Sequence, residues 1–381
     1  MCNRCNLSAM HPADSDEERL ARLRLIRSEN VGPVNFMRLL ARFGDARAAL
    51  DALPEIARRN GRKRLRIAGA AEAEQEAGAL ERIGGRLVMA GDADYPSRLA
   101  QAEGSPPVLS VIGDPALLQR PTLAVVGARN CSANGRTLCR RIVTDLAAEG
   151  YVIVSGLARG IDAEAHEAAL ETGTAAVVAG GIDIFYPPEN ADLQRRIAER
   201  GVIVAEQRFG AEPKARHFPR RNRVISGLSL GVLVVEAALR SGTLITARYA
   251  GEQGREVFAV PGSPLDPRAR GANRLIRDGA RLVESADDIL DELSAGGPSL
   301  FQGLPGRFDG PPAAEEIAVE TEDTARRALV EALSPEPAEA DSLMRAAGLG
   351  PSDFNALILE LEIAGRVRRH AGNRYALSHD G

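Results

Sequence analysis

Between Gln207 and Arg223 the cations Arg208, Lys214, Arg216, Arg220, Arg221 and Arg223 stand against a single acid, Glu212. Phe218 lies inside this run, beside His217. Cations at that density track phosphates, and a ring among them offers a face on which an unpaired base can stack. The same residues also suit a solvated charged loop whose Phe tucks into the core. The chain as a whole carries a formal net charge of −4, so the local excess is placed and not compositional drift. Downstream, Arg240-Ser-Gly-Thr243 opens a helical segment over Leu244 to Gly251. A Ser-Gly-Thr turn at a helix start presents unpaired N–H groups and small hydroxyls, which makes it an anion site. A basic loop and such a turn flanking one strand point to a phosphate-bearing ligand.

Other chemistries are less well served. Only Lys63 and Lys214 occur and neither follows a glycine, which excludes a P-loop of the Walker type. The turn Gly127-Ala-Arg-Asn-Cys-Ser132 follows a first strand but reads G-x-R, so Arg129 puts a charge where a dinucleotide fold brings backbone against pyrophosphate. The next strand ends in Ser155-Gly156, with no acid for a ribose hydroxyl. Asp162 and His166 share a helix face, and the expectation is a helix cap and a buried, hydrogen-bonded His in place of an acid–base pair or metal ligands. Glu206 and Glu236 near strand ends have the types for paired-carboxylate glycosidic chemistry, or for anchoring loops. Cys2 and Cys5 form a lone CxxC with no second pair, so no metal and no cofactor is expected, and four cysteines without a framework fit a reducing cytosol.

The elements that must position these residues alternate. Strands are expected at Leu123–Val126, Val152–Ser155, Ala175–Val178, Val202–Ala205, Val232–Val235 and Val257–Val260. Helices are expected between them, with the basic run as a flexible loop. That cadence implies an α/β fold with a doubly wound, mostly parallel, Rossmann-like sheet over residues 83–293, whose ligands sit beyond the carboxyl ends of the strands. Residues 17–82 read as a helical module of helix-hairpin-helix or sterile-alpha-motif type, after a disordered tail at 1–16. Residues 294–322 turn to Gly, Pro, Ala and Glu and read as a linker. Three helices and a hairpin over 323–379 make a winged-helix-like domain. Its third helix carries Asp353, Glu360 and Glu362 with Asn355 alone suited to read bases, which favours protein contact over duplex reading. No run is long and apolar enough to span a bilayer.

AVVGARNCSANG, VIVSGLARGIDAEAHEAAL, GGIDIFYPPEN, HFPRRNRVISGLS and VVEAALRSGTLITARYAGEQGREVFAVPG together resemble the DNA-processing protein A (DprA/Smf) family, over roughly Leu87 to Glu284. The resemblance implies a cytoplasmic, dimeric single-stranded-DNA-binding protein without catalytic residues. Such a protein would protect incoming DNA in natural transformation and help load the RecA recombinase. It implies a nucleic-acid interface of Gly127, Arg129 and Ser132, of Ser155, Gly156 and Arg159, of Lys214, Arg216, His217, Phe218, Arg221, Asn222 and Arg223, and of Ser241, Gly242 and Thr243. The family places a lysine three residues before the phenylalanine; Ala215 stands there, and either Lys214 or Arg216 would supply the cation. Leu275 and Ile276, exposed on a helix, are the expected dimer contact. The competing reading is a phosphoribohydrolase similar to the lysine-decarboxylase-like enzymes, against which Thr246 stands where their signature has a catalytic Glu.

Overall fold

A computed structural model of the chain describes residues 7–8, 10–60, 64–295 and 319–378. It divides into two units. One holds the described residues of 14–73 and 319–378, the other those of 7–13 and 74–295.

In chain order the elements are α1 (Asp16–Arg27), α2 (Pro33–Phe43), α3 (Ala46–Arg59), α4 (Ala70–Arg82), β1 (Gly85–Met89), α5 (Ser97–Gln101), β2 (Val108–Gly113), β3 (Thr122–Val126) and α6 (Ala133–Ala148). Then come β4 (Val152–Ser155), α7 (Ile161–Ala169), β5 (Thr174–Val178), α8 (Ala191–Arg200), β6 (Val202–Ala205), α9 (His217–Leu228), β7 (Gly231–Val234), α10 (Thr243–Glu252) and β8 (Glu256–Ala259). The last are α11 (Arg270–Arg277), β9 (Arg281–Leu282), α12 (Ala286–Ala295), α13 (Val319–Ala332), β10 (Ala338–Glu339), α14 (Ala340–Ala347), α15 (Pro351–Ile363), β11 (Val367–His370) and β12 (Arg374–Leu377).

The second unit is built on a nine-stranded sheet in the order β1-β2-β6-β5-β4-β3-β7-β8-β9. All neighbours from β6 to β9 pair in parallel, and β1 and β2 add an antiparallel edge. The central strands are apolar but for Thr122, Ser155 and Thr174 at their ends, because helices cover both faces: β3, β4, β5, β6 and β7 are buried at every residue. From β3 the chain winds outward through β4, β5 and β6, then returns to the other side of β3 with β7 and β8. The switch point therefore lies between β3 and β7, where crossovers diverge and a crevice opens.

The expected loop over Gln207–Arg223 holds only to Arg216, because His217–Leu228 is helical. His217, Arg221, Val224, Ile225 and Leu228 form its buried face at helical spacing. An arginine facing inward interrupts the apolar rhythm, and this hid the helix. The expected dimer contact also changes. Leu275 packs inward with 8% exposure, and Ile276 is half-buried. Within the stretch expected to be a disordered tail, Leu7 is buried, its N–H donates to the Ala100 carbonyl, and Ser15 caps α1. Most of the expected linker, and Cys2 and Cys5, fall outside the described residues; α13 already begins at Val319.

In the first unit, α13, α14 and α15 close over Leu329, Leu343, Phe354, Leu357, Ile358, Leu361 and Tyr375, with β10, β12 and β11 forming the wing. The acidic third helix turns Glu360 and Glu362 inward and leaves Asp353 exposed. Glu360, 1% exposed, accepts from Arg42 at 2.9 Å, Arg326 at 2.7 Å and Asn60 at 3.3 Å. Glu362 pairs with Arg38 at 3.2 Å, and Asn30 donates to the Ile363 carbonyl at 3.0 Å. The protein surface this helix contacts is thus α2 and α3 of the same chain.

Candidate nucleic-acid interface

A cleft of about 740 Å³ opens at the switch point, lined by the turn after β3, the start of α7, the first two turns of α9 and the start of α10. A contiguous pocket of about 190 Å³ continues from it toward Arg159 and the Tyr186–Glu189 turn. Arg129, Tyr186, Phe218 and Arg221 line both.

The floor is set by what Gly156 lacks. A methyl group there would lie 1.2 Å from a guanidinium nitrogen of Arg221, so glycine is required for Arg221 to reach this depth. Asp162, also buried, stands 4.0 Å from that guanidinium and accepts the N–H groups of Gly156 at 3.2 Å and Ala158 at 3.4 Å. It is therefore not a helix cap in the ordinary sense; the N-cap position of α7 is Gly160. Burial holds the Asp162 carboxyl above its usual range, opposed by Arg221 and by those backbone donors. Burial likewise lowers Arg221, and Asp162 opposes the shift. Arg221 Nε has no hydrogen-bond partner among the described residues. A buried donor without an acceptor is costly unless something arrives to accept from it.

Above the floor stands the ring pair. The Arg129 guanidinium lies 5.7 Å from the centroid of the half-buried Phe218 ring, and Tyr186 meets the same ring edge-on at 5.8 Å. At the far wall Thr243 Oγ1 donates to the Gly127 carbonyl at 3.1 Å, and Ser241 Oγ takes the Thr243 N–H at 3.2 Å. One of the amides expected at the start of α10 is thus already engaged. Asn222 Nδ2 donates to the Gly242 carbonyl at 3.3 Å.

The structure brings together Gly127, Arg129, Phe218, Arg221, Asn222, Ser241, Gly242 and Thr243 at the cleft, with Gly156 and Arg159 in the smaller pocket. Six other expected residues are not brought there. Ser155 is fully buried, its hydroxyl donating to the Val125 carbonyl at 2.6 Å. Ser132 caps α6, accepting from Gly135 N–H and donating to Glu236 at 2.5 Å. Arg223 turns away from the cleft to Glu206, at 2.5 Å, and to the Gly104 carbonyl. His217 is buried and accepts the Lys214 N–H; burial and then Arg216, Arg220 and Lys214 lower its pKa. Lys214 and Arg216 are exposed outside the cleft, while Ala215 lines it. Tyr186 and Arg268 line it without having been expected. Tyr186 lay in plain view inside GGIDIFYPPEN, whereas no spacing in the sequence links Arg268 to β3.

The acids near strand ends anchor structure. Glu206 holds Arg223, and Glu236 holds the first turn of α6 through the Ser132 N–H at 2.9 Å. His166 is fully buried, with Nδ1 2.7 Å from Thr174 Oγ1, and burial lowers it to about 3. No group of His, Cys, Asp and Glu among the described residues is placed to hold a metal ion.

Sheet order, switch-point cleft and arginine floor define a Rossmann-like protein whose cleft suits an anionic ligand. Family comparison then matches residues 86–294 to DNA recombination-mediator protein A, residues 16–79 to the DprA-like N-terminal HHH domain and residues 311–373 to the DprA winged helix domain. The chain belongs to the DNA recombination-mediator protein A (DprA/Smf) family. Protein Smf of Escherichia coli is 40% identical over 291 residues, covering 76% of each chain. DNA processing protein DprA of Streptococcus pneumoniae is 46% identical over 201 residues, 52% of this chain and 71% of the relative. The X-ray structure of the S. pneumoniae protein superposes with a TM-score of 0.61 at 36% identity, covering 74% of this chain and 99% of that one. A structure describing the single-stranded DNA binding mode of DNA processing protein A from Helicobacter pylori gives a TM-score of 0.50 at 29% identity, covering 53% and 93%.

Proposed function

We propose that this chain binds single-stranded DNA in the switch-point cleft, without turning it over. The observation that carries this reading is the Phe218 ring, capped by the Arg129 guanidinium, lining one cleft with buried Arg221, whose Nε lacks an acceptor among the described residues. The ring supplies a base-stacking face, and Arg221 and Arg129 supply cations for phosphates, whereas Arg268 at the cleft wall is paired with Asp266 at 2.8 Å. The cleft residues required are Gly127, Arg129, Gly156, Arg159, Phe218, Arg221, Asn222, Ser241, Gly242 and Thr243. The H. pylori relative's single-stranded DNA binding supports it.

The family resemblance extends the reading to a cytoplasmic role in natural transformation, in which the protein shields incoming strands and helps load RecA, and to a homodimer. With Leu275 turned inward, the dimer contact falls to Ile276 and the exposed Leu265 and Leu282. No helix among the described residues is long and apolar enough to cross a membrane. The phosphoribohydrolase reading is not favoured, because Thr246 at the cleft wall offers no carboxylate base.

The test is a salt-titrated comparison of dT oligomers with duplexes of equal length. The expected result is tighter binding of the single strand, with log affinity falling linearly against log salt. Equal affinity for duplex, or release of free base from nucleoside monophosphates, would overturn it.

A further inference from the structure

Beside the cleft lie two rings that the chain leaves in water. Phe185 is 44% exposed and Tyr186 45%, and they are the only aromatic side chains this exposed among the described residues. Leaving a Phe at the surface forgoes apolar burial, and two such rings in sequence form a patch that calls for an occupant. Tyr186 already belongs to the cleft through its edge contact with Phe218. Phe185 lines neither the cleft nor the smaller pocket. Instead the Arg195 guanidinium, from α8, lies 5.0 Å from its ring centroid.

Arg195 forms no ion pair among the described residues. Of the acids near it in sequence, Asp192 is engaged by Arg196 at 3.0 Å and Glu189 by Arg159 at 3.6 Å, while Glu199, one turn on in α8, is not among the ion pairs of the described residues. The arrangement at Phe218, a ring with a guanidinium over it, is therefore repeated at Phe185, with Tyr186 between the two. A guanidinium without a carboxylate is free to move onto a phosphate or the face of a base, which leaves the ring beneath it as a second stacking surface.

We propose that Phe185 and Arg195 form a second stacking platform for the same unpaired polynucleotide, reached by the strand as it leaves the cleft past Tyr186. This rests on the single-stranded DNA reading of the cleft and lengthens its track toward α8. A protein partner with an acidic, apolar surface is the competing occupant.

The test compares wild type, Phe185→Ala, Arg195→Ala and Phe218→Ala of the full chain on dT oligomers of graded length, with circular dichroism melting to check the fold. Oligomers of about four nucleotides are short enough to occupy the cleft alone. They should bind Phe185→Ala as they bind wild type, while longer oligomers lose about 5- to 100-fold in affinity. Arg195→Ala should lower the salt slope for the long oligomers by about one and leave that of the short ones unchanged. Long-oligomer affinity and salt slope unchanged in both variants would overturn the platform and leave the patch to a protein partner. Equal losses at all lengths in Phe185→Ala would also overturn it, since Phe185 would then act within the cleft. Phe218→Ala separates the two readings: if it weakens every length while Phe185→Ala weakens none, the cleft stands and the platform falls. If Phe218→Ala weakens nothing, the cleft itself fails.

Discussion

At the residue scale the proposed binding rests on arginines whose charge is fixed and on the half-buried Phe218 ring that lines the cleft. Phe218→Ala should weaken binding of oligo-dT by about 1–3 kcal/mol, the range for losing one stacked base, as read by fluorescence anisotropy with a labelled oligomer. Arg129→Ala should weaken binding and lower the salt slope by about one, because one fewer counterion is released. His166 is a different kind of site, with no access to ligand. Its folded pKa of about 3 lies below the ordinary 6.5, so above pH 6.5 it is neutral in both states and its contribution is complete. As pH falls from 6.5 toward 3 the unfolded chain takes up a proton that the folded chain refuses, and stability drops. His166→Asn should flatten this acid limb by about 1 kcal/mol per pH unit between pH 6 and 4, measured by urea unfolding.

At the scale of elements, the strands were legible because a doubly covered parallel sheet demands short, unbroken apolar runs, and Val152–Ser155 and Val202–Ala205 match residue for residue. α9 was hidden because its inward face includes Arg221 and His217, which a hydrophobic pattern reads as surface. The same inversion explains Ser155 and Arg223. Their types suit a phosphate, but one satisfies a strand carbonyl and the other an acid, and neither partner is adjacent in sequence. The third helix of the winged domain shows the converse. Its acids argued against reading duplex DNA, and two of them, Glu360 and Glu362, are instead consumed by Arg38, Arg42 and Arg326. Removing one member of a buried ionic cluster strands the others, so Glu360→Ala should cost about 3–5 kcal/mol in the unit that contains it. Thermal unfolding should show that loss, with the transition of the sheet-bearing unit unmoved.

At the scale of the whole molecule, a chain of net charge −4 cannot attract DNA by its average field, so affinity depends on where a few arginines are held. The sheet does this by opening at one place, between β3 and β7, and the loops that meet there come from segments more than 100 residues apart. This is why motif content announced the ligand class while the membership of the cleft waited for coordinates. Gly156 has one more consequence. By leaving room for the Arg221 guanidinium, it seats a cation that no proton within the biological range can switch off. The proposed grip on a strand would then answer to the ions of the surrounding medium, which compete for the same fixed charge.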